Sequence, residues 1–529
     1  MTVTVPRKLA IVAAAAALLG LVAGPTPARA TSYATIDGSG SSWSAVALDQ
    51  WGQDLARNGI TINFTPDGSA AGRTDYINGQ DDFAASDPPF RNGTDRIANS
   101  GSELPTPFGY SYVPDTAGGT ALMYHLFVGG RQITNMRLTA LTIFKIFTGQ
   151  ITNWDDSQIT HDYGQQLPSI PIIPVVRSDG SGATFFLTRW MSHVFPSQWD
   201  AFCAQVTHGR VSSQCGNTEF YPTGWGNVQA ENGSNNVATY ITSSYANGAI
   251  GYDEYAYALN SHYPVVAMAN PGGYYVLPTA SNVAVALTQA KIIEDQSSPD
   301  FLQQNLDSVY TFTDPRSYPL SSYSYLVVPR QGTKLSNHFS QSPGAGATLS
   351  TYIDFFLCGG QQQSAALGYS PLPLNLVKGG LEQAGNIPGH VAGPDPTTLA
   401  GCDNPTFSNG QLTVLKNAPF PSACQKVGSP LNCTGSGGKT KSTKSSTGPT
   451  GGATSSTGPS GAVNPAGSGS NTTGTGTGSP VNGQSVSLAS SGVNRPVLGA
   501  LTALAIVVAI ALPPGFGLWL RRRRRRVPR

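Results

Sequence analysis

Three short turns rich in glycine and serine carry the residues of this sequence that are best suited to bind a ligand. They read DGSGSS at 37–42, DGSAAG at 67–72 and RSDGSG at 177–182. Glycine permits a close approach to the backbone N–H groups, which a side chain would block. Serine adds a hydroxyl donor, and Arg177 adds a planar fork that matches two oxygens of one anion. The chemistry that these residue types predict is the binding of an anion.

Each of these turns stands between a predicted strand and a predicted helix. The N-terminus of a helix presents unpaired N–H groups and the positive end of a dipole, so such a unit is a ready anion site. A single Ser-Gly turn is also consistent with an ordinary helix cap, but the repetition of the unit favours the anion site. Periodicity predicts strands at 33–36, 60–64 and 170–176, and helices at 43–55, 73–78 and 183–194.

A fourth segment, DFAASDPP at 82–89, predicts a strand that ends at a rigid proline corner. The strand delivers Asp87 to this corner. Taken by itself, Asp87 is equally consistent with an Asx-turn or a helix cap.

Together the four segments resemble the phosphate-binding component of high-affinity phosphate ABC transporters, a bilobal periplasmic-type solute-binding protein. The resemblance covers about 31–385. It is carried by GSGSSW at 38–43, DGSAAG at 67–72, FAASD at 83–87 and RSDGSGA at 177–183. Flanking runs agree with it: FTGQITNW at 147–154, GAIGY at 248–252 and LGYSPLP at 367–373.

The resemblance implies an α/β chain with the type II periplasmic-binding-protein fold, in which two lobes are joined by a hinge and the ligand lies between them. Lobe I is expected at about 31–115 and 280–433, and lobe II at about 116–279. The resemblance also implies that Asp179 holds the Arg177 guanidinium in place, although Asp179 is also suited to cap the next helix. The residues implied to contact phosphate are Ser42, Trp43, Ser69, Asp87, Arg177, Ser181, Gly182 and Ala183.

Three features depart from the family pattern. Ala183 stands where the family usually has threonine, so one hydroxyl donor is missing, and Trp43 stands where it usually has phenylalanine. The segment 386–433 lies outside the family core.

The function that the resemblance implies is extracytoplasmic binding of inorganic phosphate and its delivery to the permease subunits of an ABC importer, without catalysis or a cofactor. A surface sensor or adhesin that keeps the fold, or a binder of another oxyanion, remains an alternative. A secreted phosphatase that uses a turn serine is a further alternative. The sequence has neither a Gly-x-Ser-x-Gly elbow nor a metal-spaced His/Asp cluster to support it.

The distribution of charge excludes other classes of protein. All 29 acidic residues lie in 31–433, together with 17 of the 31 lysines and arginines, so this region has a net charge of −12. A nucleic-acid-binding domain needs a basic surface, which this region does not predict. The same region has no apolar run near the ~20 residues of a spanning helix, so a polytopic membrane protein is excluded as well.

Both ends of the chain predict export. Residues 1–30 have a basic start, a short apolar stretch and an Ala-Arg-Ala site, as in a secretory signal peptide. Residues 434–496 are rich in Gly, Ser, Thr and Pro and predict a disordered stalk. The apolar stretch 497–520 predicts a transmembrane helix, and the Arg-rich segment 521–529 predicts a cytoplasmic tail.

The anchor itself has two interpretations. In the first, the apolar helix stays in the membrane and holds the domain on the outer face of the cell. In the second, LASSG at 488–492 acts as a cell-wall sorting motif, because a short Leu-Ala-x-Thr-Gly motif, an apolar helix and an arginine tail follow in this order in such signals. Ser491 stands where that motif has threonine.

The six cysteines all lie in the exported region, where disulfides form. No Cys-x-x-Cys occurs, and no histidine stands at metal-ligand spacing from a cysteine, so a metal site is not predicted. Proximity in sequence favours the pairs Cys203–Cys215 and Cys424–Cys433, which leaves Cys358–Cys402.

Overall fold

The computed structural model describes residues 32–433. The predicted signal peptide, stalk, transmembrane helix, arginine tail and sorting motif lie outside these residues. Within them, no helix is both long and apolar enough to cross a membrane.

The strands of residues 32–433 range from two residues to the fifteen of β4. They are β1 Ile36–Gly40, β2 Ile62–Thr65, β3 Phe83–Ser86, β4 Tyr110–Tyr124, β5 Phe127–Val128, β6 Arg131–Gln132, β7 Arg137–Leu138, β8 Ile173–Arg177, β9 Gln229–Glu231, β10 Ala249–Glu254, β11 Ala267–Ala269, β12 Tyr275–Val276, β13 Lys291–Ile292, β14 Gln304–Asn305, β15 Ser321–Pro329, β16 Phe407–Ser408 and β17 Gln411–Leu412.

The α-helices of the same residues alternate with the strands in both lobes. They are α1 Ala45–Ala56, α2 Ser69–Asn78, α3 Ala140–Phe147, α4 Ser157–Tyr163, α5 Gly182–Val194, α6 Pro196–Val206, α7 Gly233–Thr242, α8 Tyr255–Asn260, α9 Ala280–Leu287, α10 Asp307–Tyr310, α11 Asn337–Ser340, α12 Ala345–Leu357, α13 Ser364–Leu367, α14 Leu374–Ala384 and α15 Thr413–Lys416. Short 3-10 helices lie at Gly359–Gln363 and Ala423–Gln425.

One mixed sheet runs through both lobes in the strand order β2-β1-β3-β15-β4-β10-β8-β9. Strand β1 pairs in parallel with β2 and β3, whereas β15 is antiparallel to β3 and β4. In the other half, β10 is antiparallel to β4 and parallel to β8, and β9 closes the edge. The predicted two-lobed α/β fold is confirmed, with lobe I built on β2-β1-β3-β15 and lobe II on β10-β8-β9.

Strand β4 joins the two lobes. Its residues 110–119 pair with β15 in lobe I, and its residues 120–124 pair with β10 in lobe II. Gly118 and Gly119 lie where the pairing partner of β4 changes, and neither position has room for a side chain. A Cβ on Gly118 would lie 2.6 Å from the Trp43 ring, and one on Gly119 would lie 2.7 Å from Pro278. The hinge is therefore packed tightly from both sides.

The three predicted strand–turn–helix units are present, with shifted boundaries. Strand β1 continues through Gly40, past the predicted end at Ile36, because it lies between β2 and β3 and its backbone groups find parallel partners on both sides. Helix α2 begins at Ser69, four residues before the predicted start. Gly68 permits this early start, since its φ of 111° is open to glycine and strained for other residues.

The six cysteines form the pairs Cys203–Cys215 and Cys424–Cys433, which sequence proximity favours, and the remaining pair Cys358–Cys402. The Cys358–Cys402 pair ties the C-terminal segment to helix α12 of lobe I.

The end of that segment lies against lobe II. The Ser429 carbonyl accepts a hydrogen bond of 2.5 Å from Arg137 Nη2, and Lys426 forms a β-bridge with Tyr274. The end of the segment 386–433, which the sequence assigns to lobe I, thus also contacts residues within 116–279.

Candidate functional site

The first turn places two serines at the end of β1, with Gly40 behind them. A Cβ on Gly40 would fall 2.1 Å from the Ala85 carbonyl oxygen, so the close packing of β1 on β3 requires glycine here. Ser41 Oγ donates to Asp87 Oδ1 at 2.7 Å. Ser42 is buried, and its hydroxyl faces lobe II.

Trp43 supports this turn with its side chain. Its indole Nε1 donates to Thr120 Oγ1 at 3.3 Å, and its ring meets Tyr369 edge to face at 5.8 Å. Its backbone N–H is directed at Ser41 Oγ, 3.2 Å away. The structure therefore ties Trp43 to the hinge strand, because Thr120 is the first residue of β4 that pairs in lobe II.

The second turn brings Ser69 to the same carboxylate. Ser69 begins helix α2, and its hydroxyl donates to Asp87 Oδ2 at 3.3 Å. Helix α2 lies directly on the first turn, since a Cβ on Gly72 would come within 2.5 Å of the Gly40 Cα. The two turns of lobe I thus converge on Asp87.

Asp87 directly follows strand β3 and is buried at 1% exposure. Burial raises the pKa of its carboxyl, while hydrogen bonds from serines and the charge of Arg177 act against this rise. A Cβ on Gly182 of lobe II would lie 1.9 Å from Asp87 Oδ2. The carboxyl group therefore faces the first turn of helix α5 across the cleft, and only glycine fits opposite it.

Arg177 supplies the cation of the site from the end of β8. Its Nε donates to Asp179 Oδ1 at 2.8 Å and its Nη2 to Asp179 Oδ2 at 2.5 Å. Burial alone would lower the pKa of Arg177, but the hydrogen bonds and the charge of Asp179 outweigh burial and raise it. Asp179 thus holds the guanidinium in place, and Arg177 Nη2 also reaches Ser42 Oγ of lobe I at 2.9 Å.

Helix α5 presents its N-terminus to the cleft. Ser181 caps the helix, since its hydroxyl accepts from the Thr184 N–H. The next two residues, Gly182 and Ala183, are buried at the start of the helix.

Four buried backbone N–H groups around these side chains have no acceptor among residues 32–433. More than nine in ten buried N–H groups in proteins are paired, so a cluster of unpaired ones indicates a ligand. Helix dipoles add to the effect, because three of the four groups open a helix. The four N–H groups belong to Ser42, Ser69, Gly182 and Ala183.

Ser234 also lies in the site, although the sequence-based prediction omitted it. Its hydroxyl is 2.9 Å from Ser42 Oγ and accepts from Arg177 Nη1 at 3.1 Å. The signal was present in the sequence: Asn232-Gly233-Ser234 follows strand β9 and opens helix α7. This is a fourth strand–turn–helix unit with a Gly-Ser turn.

Further buried carboxyl groups lie behind the site. Both oxygens of Asp115 and both of Glu254 have no hydrogen-bond partner in the described part of the chain. Burial, followed by the charges of neighbouring carboxylates, raises the pKa of Asp115 and of Glu254 well above the ordinary range. Burial also raises the pKa of Asp253 to about 6, although the charge of Arg177 opposes this rise. The carboxyl groups of Asp115 and Glu254 therefore keep their protons to a higher pH in the folded chain than they would in water.

The predicted site residues are thus close together, at the junction of the two lobes. Ser42, Ser69 and Asp87 come from lobe I, and Arg177, Ser181, Gly182 and Ala183 come from lobe II. The arrangement offers one guanidinium, serine hydroxyls and free N–H groups to an anion. It also offers one carboxyl, Asp87, that can accept a hydrogen bond from an O–H of the ligand.

Comparison with known proteins shows which family has a similar sequence. Residues 25–359 match the model of the PBP superfamily domain. The chain is 31% identical over 359 residues to the phosphate-binding protein PstS of Xylella fastidiosa, covering 67% of this chain and 86% of that one. It is 27% identical to the PstS of Pasteurella multocida, covering 67% of this chain and 90% of that one.

Two further proteins are similar to this chain at lower sequence identity. The chain is 25% identical to the phosphate-binding protein PstS 2 of Mycobacterium tuberculosis, covering 63% of this chain and 82% of that one. Among solved structures, a phosphate-binding protein from Stenotrophomonas maltophilia aligns with a TM-score of 0.48 at 16% identity, covering 70% of this chain and 99% of that one.

Proposed function

Because this chain belongs to the PBP superfamily and, within it, to the family of phosphate-binding proteins, we propose that it binds inorganic phosphate between its two lobes. The observation that carries the proposal is the cluster of four unpaired, buried N–H groups around Arg177 and Asp87. Such a cluster suits a small anion with several oxygens. The proposed contacts are Ser42, Ser69, Asp87, Arg177, Ser181, Gly182 and Ala183, while Trp43 supports the first turn.

Arg177 and the helix ends would share the negative charge of the ligand. A guanidinium donates two parallel hydrogen bonds to two oxygens of a tetrahedral anion. The N–H groups of Gly182 and Ala183 open one helix, and the Ser69 N–H opens another, so partial positive charges face the ligand from both lobes. The net charge of −12 over 31–433 does not oppose binding, because surface charge is screened beyond about 8–10 Å.

Asp87 would select the protonated oxyanion. Phosphate near neutral pH keeps at least one O–H, which donates to a carboxylate, whereas sulfate has none. A sulfate oxygen would face the lone pairs of Asp87, and like charges in contact repel strongly in a buried site. The hydrogen bonds from Ser41 and Ser69 hold the carboxylate in place to accept a hydrogen bond from this O–H.

Binding would close the lobes around the ligand. The donors are divided between the lobes, so both halves of the site engage the anion only in the closed arrangement. The hinge is the short stretch of β4 at Gly119 and Thr120 where its partner changes from β15 to β10.

We propose that the protein presents phosphate to the permease subunits of an ABC importer. The predicted signal peptide and the predicted C-terminal helix would place the domain outside the cell membrane, where such an importer takes up its substrate. In this role the protein binds and releases the anion without turning it over. The names of its relatives describe binding proteins as well.

Isothermal titration of the full chain with inorganic phosphate, in detergent, tests the binding proposal. We expect one phosphate per chain and competition by arsenate but not by sulfate. A chain that binds sulfate as tightly as phosphate, or that binds neither, contradicts the proposal. Incubation with a phosphate monoester, with release of phosphate as the readout, tests the alternative of a phosphatase.

A further inference from the structure

We propose that Ser234 is a ligand-binding residue of the anion site and provides a second hydroxyl from lobe II. This inference rests on the proposed function, and it assigns a role to a residue that the sequence-based prediction omitted. Ser234 is wholly buried at the start of helix α7, in a turn that follows strand β9.

Three groups of lobe II point at a single oxygen of lobe I, the hydroxyl oxygen of Ser42. Arg177 Nη2 lies 2.9 Å from it, the Ser234 N–H donor 3.1 Å and the Ser234 Oγ 2.9 Å. Arg177 Nη1 also donates to Ser234 Oγ at 3.1 Å. Ser234 is therefore part of the same donor cluster as the guanidinium.

The neutral hydroxyl oxygen of Ser42 is a weak hydrogen-bond acceptor for the groups of Arg177 and Ser234 that surround it. An anionic oxygen accepts the same bonds more strongly, because hydrogen bonds with one ionised partner are shorter and about twice as strong. A phosphate oxygen would thus compete with Ser42 Oγ for the N–H and O–H groups of Ser234 and for Arg177. Ser42 would then turn its own hydroxyl and its unpaired N–H to the ligand.

Asp179 positions Ser234 together with Arg177. The Gly233 N–H donates to Asp179 Oδ1 at 2.9 Å, and the same oxygen accepts from Arg177 Nε at 2.8 Å. One carboxylate therefore aligns the guanidinium and the turn that carries Ser234. Gly233 has a φ of 74°, which permits the tight turn that brings the Ser234 N–H into the cleft.

Ser234 also gives lobe II a second hydroxyl that faces the ligand site. Ser181 contributes one, but its oxygen already accepts from the Thr184 N–H as the helix cap. Ala183, next to the cleft on helix α5, has no hydroxyl. Ser234 provides the second hydroxyl on this side from a different helix.

Titration of the full chain and its variants with inorganic phosphate tests this role. The loss of one hydrogen bond to a charged ligand predicts that Ser234→Ala weakens phosphate affinity by roughly 10- to 100-fold. Thr239→Ala is the matched control, because Thr239 lies on the same helix with an exposed hydroxyl that bonds only the Asn235 carbonyl. We expect the control to bind as the parent does.

A rescue variant separates ligand binding from packing. In the Ser234→Ala background, Ala183→Thr adds a hydroxyl beside the same cleft and should recover part of the lost affinity, which a defect in packing would not allow. Ser234→Cys keeps the side-chain size, replaces the hydroxyl with a weak donor and should show a loss of the same order, so the test does not depend on one variant.

The outcomes of the two proposals are distinguishable. If the parent chain does not bind phosphate, the proposed function fails. If the parent binds and both Ser234 variants bind within about twofold of it, a difference well below the strength of one hydrogen bond, only the role of Ser234 is overturned. A loss of affinity that Ala183→Thr fails to recover, although the same substitution improves the affinity of the parent, also overturns it.

Discussion

Arg73 and Glu219 form a buried ion pair between the two lobes. Arg73, on helix α2 of lobe I, donates from Nη2 to both carboxylate oxygens of Glu219 in lobe II at 2.7 Å. Neither side chain is more than 3% exposed. Glu103 accepts from Arg73 Nε at 2.9 Å and from the same Nη2 at 3.0 Å, so Arg73 keeps a partner in its own lobe. The pair thus joins the lobes at one edge of the cleft.

We expect Glu219→Gln to favour the open form. Removing one partner from a buried ion pair leaves a charge poorly compensated and costs about 3–5 kcal/mol, of which Glu103 recovers a part. The variant should bind phosphate roughly 10-fold more weakly and show a larger radius of gyration by X-ray scattering without ligand.

The matched control for this ion pair is Asp307→Asn, which removes the Arg189–Asp307 pair, whose side chains are 30% and 38% exposed. Exposed pairs contribute about 0–1 kcal/mol, so the control should behave as the parent does. If Glu219→Gln and the control give the same affinity and the same scattering curve, the pair does not stabilise the closed form.

Arg177→Ala should abolish tight phosphate binding. The guanidinium would supply two charge-assisted hydrogen bonds of roughly 1.5–3 kcal/mol each, so a loss of at least about 100-fold is expected in calorimetry. Ala183→Thr, in contrast, should leave affinity intact or improve it, because it adds a hydroxyl at the start of helix α5. An Arg177→Ala protein that binds as tightly as the parent would place the site elsewhere.

Asp87→Asn should relax the selectivity between phosphate and sulfate. Sites built on a specific buried hydrogen bond reject a ligand that lacks it by about 10⁴-fold, and we expect a preference of this order in the parent. An amide donates as well as accepts, so the side chain of the variant no longer disfavours a fully ionised oxyanion. Competition titrations of both anions against the parent and the variant measure this change. Equal affinities in the parent would remove Asp87 from the site.

Stability should fall as pH rises above about 4, because burial raises the pKa of several carboxyls in the folded state above their value in the unfolded chain. Burial is the largest of the causes that raise the pKa of Asp115 and of Glu254 well above their ordinary values. A group with a raised folded pKa stabilises fully below its unfolded pKa, near 4, and this contribution is lost as pH rises towards the folded pKa. Burial also raises the pKa of Asp354 to about 7, which extends the same trend.

Urea unfolding of the full chain at pH 5, 6, 7 and 8 measures this trend. One such group changes the free energy of unfolding by up to about 1.4 kcal/mol per pH unit. Asp115→Asn, which keeps the shape without the titrating proton, should flatten the slope. Asp395→Asn is the control, since hydrogen bonds from Thr397 and Thr398 lower the pKa of Asp395 to about 2, outside the window. A parent slope that Asp115→Asn leaves unchanged would show that Asp115 does not titrate in this range.

Deletion of 488–529 should release the exported domain into the medium with its phosphate affinity intact. The apolar stretch and the arginines predicted to hold it lie in this segment. A truncated protein that stays with the membrane would show another anchor.

Mass analysis of the intact protein separates the two interpretations of the anchor. A mature chain that ends near Ser491 and is joined to the cell wall indicates sorting, and a full-length C-terminus indicates a membrane helix.

Local features of the sequence were enough to predict the strand–turn–helix units, and the resemblance to a known family implied which of their residues contact the ligand. The turns that carry Ser42, Ser69 and Ser181 were recognisable because the same Gly-Ser turn recurs between a strand and a helix, whereas one such turn is also consistent with a helix cap. Arg177 and Asp179 are two residues apart, so their pairing is a local property. The cysteine pairs 9 and 12 residues apart likewise follow from short loops.

The tertiary structure alone decided the contacts between distant segments. Ser42 and Ser234 are 192 residues apart, and Arg73 and Glu219 are 146 apart, so no periodicity or spacing relates them. The burial of Asp115 and Glu254 is equally invisible in the sequence. Asp115 lies where β4 pairs with β15, and Glu254 lies where β10 pairs with β4, so both are buried only once distant strands have met. Periodicity records which face of an element is buried, whereas which elements meet is decided by the packing of the whole chain.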